Sequence, residues 1–108
     1  MKRAVLLGDS RGRIRDFPES ARREVGHQIL RLQLGLDPTD WKPVKSIGPG
    51  VREIRIRDAA GAFRVIYVAI YSEAIYVLHA FQKKTNVTDR RDLNLATLRL
   101  RLLQRENS

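Results

Sequence analysis

The 108-residue chain has no cysteine. That removes disulfide staples, thiolate metal ligands and a cysteine nucleophile, and it suits a reducing cytoplasm. Long apolar runs are also missing. The first ten residues, MKRAVLLGDS, hold a hydrophobic stretch too brief for a secretory signal, broken at Gly8 and Asp9. Nothing approaches the ~18 to 20 consecutive apolar residues that span a bilayer. A soluble, unprocessed cytoplasmic protein with no membrane association is expected. There are no internal repeats and no low-complexity segment, and the length suits one domain, residues 1–108, with one modest core.

Acidic residues are scarce: 12 against 21 lysines and arginines, a formal net charge of +9. Such a balance favours a polyanionic partner, nucleic acid or an acidic protein surface. Residues 1–50 carry ten basic and six acidic groups, and residues 51–108 carry eleven and six. Any binding surface is therefore part of the fold, not a basic tail.

Hydrophobic residues make up 43% of the chain and fall into periodic blocks. Residues 18–35 read as a helix, with Pro18 in the first turn, Gly35 as the stop and an apolar stripe of Val25, Ile29, Leu32 and Leu36, widened by Leu30 and Leu34. His27 on this helix reads as structural. Three of the four prolines lie in 37–50, a connector expected to bury Trp41 in a short turn. Three strands are predicted at 51–57, 62–71 and 74–84, joined by the DAAG turn and by Ser72-Glu73 as an antiparallel meander. A closing helix over 89–105 has Thr88 as N-cap. Its apolar stripe is Leu93, Ala96, Leu100 and Leu103, with Leu95, Leu98 and Leu102 beside it. The expected fold is α+β: a small antiparallel sheet with N-terminal helix or helices on one face and a C-terminal helix.

Residues directly opposite each other on antiparallel strands share a face. With these turns Arg55 sits opposite Arg64, Glu53 opposite Ile66, Arg64 opposite Phe81 and Ile66 opposite His79. One face then collects Glu53, Arg55, Arg57, Arg64, His79, Phe81 and Lys83. The other carries Ile54, Ile56, Phe63, Val65, Tyr67, Leu78 and Ala80 for the helices to cover.

The first set suits RNA strand cleavage without a metal or other cofactor. A ribose 2′-hydroxyl must lose a proton, the pentacovalent phosphate gathers negative charge, and the 5′-oxygen must leave. Guanidinium and ammonium groups stabilise that charge, a carboxylate, an imidazole or a lysine can move protons, and an aromatic ring can stack a splayed base. Each residue also has a structural reading. Arg55 and Arg57 could line a solvated face, and Glu53 could pair with Arg55 or Arg64. His79 could be a half-buried strand residue and Phe81 a core edge, and Lys83 and Lys84 could guard a strand end. Arg64 is the strongest candidate, as the lone charge in an apolar central strand. Because it faces the platform and not the core, Arg64→Ala is expected to leave the fold intact.

The series VREIRIRD, GAFRVIYV and IYVLHAFQKKTNVT, followed by a leucine-rich helix, resembles the RelE/ParE toxin superfamily, and most of all its HigB-like, phage-related branch of type II toxin–antitoxin systems. The likeness runs from Pro18 through the final helix. It implies a ribosome-dependent, metal-independent mRNA endoribonuclease that inhibits translation. Its partners would be the ribosome, mRNA and a cognate antitoxin of helix-turn-helix type through which the complex binds operator DNA. Arg64 matches the arginine that stabilises the scissile phosphate, Arg55 and Arg57 the basic positions of the preceding strand, and Lys83 and Lys84 the basic end of the last. Glu53 falls where some members carry a catalytic residue. No tyrosine follows Tyr76, so the proton-transfer role that some members give a C-terminal tyrosine passes to Glu53, His79 or a lysine. The alternative implied by the same likeness is a non-enzymatic, ParE-like inhibitor of DNA gyrase.

Overall fold

The computed structural model describes residues 1–107. In chain order the elements are β1 (Arg3–Leu6), α1 (Ser10–Arg15), α2 (Glu19–Gln33), β2 (Trp41–Pro43), β3 (Val51–Asp58), β4 (Gly61–Val68), β5 (Ala74–Lys83) and α3 (Arg90–Glu106). The strands form one sheet in the order β1-β5-β4-β3-β2. The fold is α+β, as the residue pattern indicates. The sheet is mixed, however, because β1 runs parallel to β5, with Arg3 beside Ala74 and Leu6 beside Val77.

Helices cover both faces. Ile14, Phe17, Ala21, Val25 and Leu32 of α1, α2 and their junction pack on Ile54, Ile56, Phe63, Val65, Tyr67 and Val77. Ala96, Leu100 and Leu103 of α3 pack on Ile66, Val68, Tyr76, Leu78 and Phe81. Among the described residues no helix is long and apolar enough to cross a membrane.

Local chemistry accounts for the boundaries. Pro18 is the N-cap of α2, and the helix ends where Gly35 takes φ +82°. There the Leu36 amide donates back to the Arg31 carbonyl at 2.9 Å, satisfying an orphan acceptor of the last turn. The inward stripe is Ala21, Val25, Gln28 and Leu32, while Leu30, Leu34 and Leu36 are exposed. Gln28 is inside because it ties down the connector. Its Oε1 accepts from the Thr39 amide at 2.8 Å, and its Nε2 donates to Glu24 and Thr39. His27 is exposed.

Three other expectations are corrected. Trp41 is half-buried, lying in edge strand β2 with the Arg52 guanidinium 3.9 Å from its ring centre. The N-cap of α3 is Asp89, not Thr88: its carboxylate accepts from the Arg91 amide at 2.8 Å. The second hairpin does not close on Ser72-Glu73, since β4 stops at Val68 and β5 starts at Ala74. A bulge between Ile66 and Tyr67 absorbs the difference, so Tyr67 pairs with Val77 while Ile66 still faces His79. Leu78 is the extra residue, and it turns to the α3 side, away from Ile54 and Ile56.

Candidate nucleic-acid interface

Beyond the bulge the register matches the alternation: Glu53 opposite Ile66 and His79, Arg55 opposite Arg64 and Phe81, Arg57 opposite Ala62 and Lys83. These three cross-strand rows share the α3 side of the sheet. Depth separates them. The row through His79 lies under α3, the row through Arg64 is buried at its centre, and the row from Arg57 to Lys83 is the most open.

Arg64 is 7% exposed and Glu53 2% exposed. Arg64 Nε lies 3.4 Å from Glu53 Oε1, and Lys42 Nζ is 3.9 Å from the same oxygen. Neither Nε nor Oε1 has a hydrogen-bond partner among the described residues, so the pair is electrostatic and not fully satisfied. One Arg64 terminal nitrogen donates to the Phe63 carbonyl at 3.0 Å. Burial pushes the guanidinium pKa down. Glu53 opposes this, and Arg55 and Arg57 add to it. Arg64 is thus set in the sheet and held by a carboxylate beside it, which corrects the view that it faces away from the core. Arg55 is half-exposed and clamped by Asp40, with Nε and a terminal nitrogen each 3.0 Å from Oδ1.

His79 is fully buried. Its Nε2 lies 2.7 Å from Asp92 Oδ1 and its Nδ1 3.2 Å from an Arg99 terminal nitrogen. Arginine can only donate, so Nδ1 must accept. Nε2 then carries the proton and donates it to Asp92, which makes the ring neutral. Burial lowers its pKa first of all, against the pull of Asp92, and Arg99 and Arg13 lower it further. Phe81 stacks on the imidazole, with ring centres 5.4 Å apart and planes 20° apart.

Arg99 also donates to the Leu78 carbonyl at 3.0 Å and to Asp9 Oδ1 at 2.7 Å. Asp9 in turn accepts from Arg13 at 3.0 Å. Gly8, at φ +56°, lets the chain pass so close to Arg99 that a β-carbon there would strike the guanidinium. The chain Arg13–Asp9–Arg99–His79–Asp92 fastens α3 to β5 and to the segment between β1 and α1.

Beside this network a cleft of about 340 Å³ opens between α1, the end of β5 and the start of α3. Arg13, Phe81, Lys83, Lys84, Arg91 and Leu95 are among its walls. Asp89 and Asp92 also line it, but the first caps α3 and the second holds His79.

Of the residues singled out in the sequence, Arg55, Arg57, Arg64, Phe81 and Lys83 lie on two adjacent rows of one face, with Arg64 and Phe81 themselves buried, and Lys84 follows Lys83 into the cleft. Glu53 and His79 share the face but are sealed from solvent. Asp92, Arg99, Asp9, Arg13 and Arg91 were not singled out. The only signal for Asp92 was its place in the first turn of a helix, and Arg99 is one of several arginines on α3. Among the described residues no three His, Asp or Glu side chains gather as a metal site would require.

No curated protein matches the chain significantly. The family model described as Phage derived protein Gp49-like (DUF891) matches residues 13–101. That span runs from α1 across the sheet into α3, and it includes the three cross-strand rows and the cleft. The chain belongs to the phage-derived Gp49-like family.

Proposed function

We propose that this protein is the toxin of a type II toxin–antitoxin system: a HigB-like, ribosome-dependent endoribonuclease that cuts mRNA without a metal ion and so stops translation. Membership of the Gp49-like family, which is related to the RelE/ParE toxins, supports the general class. The observation that carries the specific reading is the set of aligned rows, which put Arg55, Arg57, Arg64 and Lys83 around Phe81 on one side of the sheet.

In this reading Arg64 and Arg57 stabilise charge on the phosphate as the 2′-oxygen bonds to phosphorus and the 5′-oxygen departs. The products are a 2′,3′-cyclic phosphate and a 5′-hydroxyl. Phe81 offers an edge against which a base can lie. Glu53 and His79 are enclosed, so Lys83 and Lys84 are the accessible groups for moving the proton. A neighbouring antitoxin, of helix-turn-helix type and bound to operator DNA, would silence the toxin by covering these cations.

The test is mapping of mRNA 5′ ends in cells after brief induction, with and without blocked translation. The wild-type protein should create translation-dependent new ends, and Arg57→Ala combined with Lys83→Ala should remove them, since neither side chain is buried in the core. Growth arrest with no new ends, together with inhibited gyrase supercoiling, would establish the ParE-like alternative.

A further inference from the structure

We propose that the outer edge of β1, with the arginines of α1 and α2 beside it, is a docking site for an acidic, extended segment of a partner protein, which joins the five-stranded sheet as a further strand. None of these residues belongs to the cross-strand rows or to α3. The site is therefore separate from the ribonuclease reading and does not rest on it.

β1 closes one side of the sheet, and no strand lies beyond it. The Leu7 amide donates to the Val77 carbonyl at 2.9 Å, which sets the phase of the parallel ladder. Arg3, Val5 and Leu7 turn their backbone groups toward β5, and Ala4 and Leu6 turn theirs outward. Lys2 also faces outward, but it is occupied: its amide donates to the Gln33 carbonyl at 3.1 Å, and its carbonyl accepts from Gln33 Nε2 at 2.9 Å. Among the described residues Ala4 and Leu6 have no such partner on that side. Their amides and carbonyls offer an incoming strand donors and acceptors at ladder spacing.

A groove of about 260 Å³ opens beside this edge, lined by Leu6, Arg11, Ile14, Arg15 and Arg22, with no carboxylate in its wall. Leu6 and Ile14 give it an apolar floor. The Arg22 guanidinium donates to the Arg15 carbonyl at 3.1 Å, which orients it without neutralising it. Among the described residues none of the three arginines has a carboxylate within ion-pair distance.

These features choose the occupant. Alternate side chains of an added strand fall on the face that carries Leu6. An apolar one can rest on Leu6 and Ile14 while its same-face neighbours, as carboxylates, meet the arginines. A second copy of the chain is a poor occupant, because its +9 charge and identical arginines would meet their like. RNA answers the arginines but has no ladder of amides and carbonyls for Ala4 and Leu6.

The probe is a fluorescent synthetic peptide of about eight residues, with glutamate and valine alternating on one face and threonine on the other. Binding is followed by anisotropy, and amide hydrogen exchange of the protein by NMR. The Ala4 and Leu6 amides should exchange freely in the protein alone and become protected when the peptide is bound. Arg11→Ala combined with Arg15→Ala, both exposed, should weaken binding by about tenfold at low salt and by less as salt screens the charges. Lys45→Ala combined with Arg101→Ala removes the same charge elsewhere and should lose far less. The same peptide methylated on every backbone nitrogen keeps its charges and should not bind. Absence of peptide binding by the wild-type protein overturns the proposal, and so does binding that leaves the two amides unprotected. Equal losses in the two double variants, both shown folded by melting curves, overturn it as a general charge effect. A single-stranded RNA that binds through Arg11 and Arg15 where the peptide does not would assign the patch to nucleic acid and overturn it as well. Because exchange is read on the wild-type protein, it decides the matter even if a variant fails to fold.

Discussion

Against α1 and α2 the sheet presents Ile54, Ile56, Phe63, Val65, Tyr67 and Val77. Against α3 it presents Ile66, Val68 and Leu78 interleaved with Glu53, Arg64 and His79. Both faces are covered by helices, yet among the described residues only the second buries an arginine, a glutamate and a histidine; the titratable side chain on the first is the phenol of Tyr67. Buried charges are weak contributors to stability, because desolvation offsets much of their attraction. The first face is therefore where the fold is held. The second is where the chain accepts a weaker core in order to hold polar side chains at fixed positions.

The largest test of that difference is Phe63→Ala. Phe63 is buried against Phe17, ring centres 4.6 Å apart, and its loss should cost about 3–5 kcal/mol in thermal or denaturant unfolding. On the second face, Glu53→Ala strands Arg64 and should cost about 3 kcal/mol. Combining Glu53→Leu with Arg64→Met should cost clearly less than the sum of the two single changes. A double-mutant cycle showing strict additivity would mean that the pair is not coupled and that the contrast between the faces is one of packing alone.

A smaller effect is expected from His79. Burial sets its folded pKa below the ordinary 6.5, so the folded protein resists protonation while the unfolded chain accepts it. Its stabilising contribution is present above about pH 6.5 and is lost as the pH falls through the depressed folded value. Melting temperatures between pH 8 and pH 5 should drop for wild type and drop less for His79→Asn. Parallel curves would indicate that the imidazole does not titrate across the transition. Exposed His27 provides the control substitution.

The smallest effect belongs to the edge of the network. Arg13 and Arg99 hold the Asp9 carboxyl at a pKa of about 2, against an ordinary 3.8. The associated stability is present above pH 3.8 and disappears as the pH falls toward 2. Asp9 is half-exposed, so Asp9→Asn should lower stability at neutral pH by about 1 kcal/mol or less, and by less still in high salt.

Residues with local rules were legible beforehand. Alternation in VREIRIRD and a glycine turn fix the opposition of Arg55 to Arg64, which the observed pairing repeats. The closing helix and its inner stripe of Ala96, Leu100 and Leu103 follow from heptad-like spacing. What escaped depends on non-local partners. RAVL is too short to declare itself a strand, and only the edge of β5 makes it one. The six residues of α1 include a glycine and carry little periodicity. Leu78 misled because a bulge reverses the face of everything on its far side. Arg64 looked like a platform residue since alternation tells which side a residue faces but not how deep α3 leaves it. Arg99 resembles its neighbours on the helix until the fold turns it toward His79 and Asp9.

The pairing of Arg3 with Ala74 has a further consequence, for the time at which the molecule is finished. During synthesis β1 emerges well before β5 and has no partner until that strand has followed it, and the Asp9–Arg99 clasp waits longer still, for the turn of α3 that carries Arg99. Such long-range closure makes folding slow relative to purely local structure. The growing chain completes the sheet edge only when β5 has left the ribosome, and the clasp only when the turn of α3 that carries Arg99 has followed.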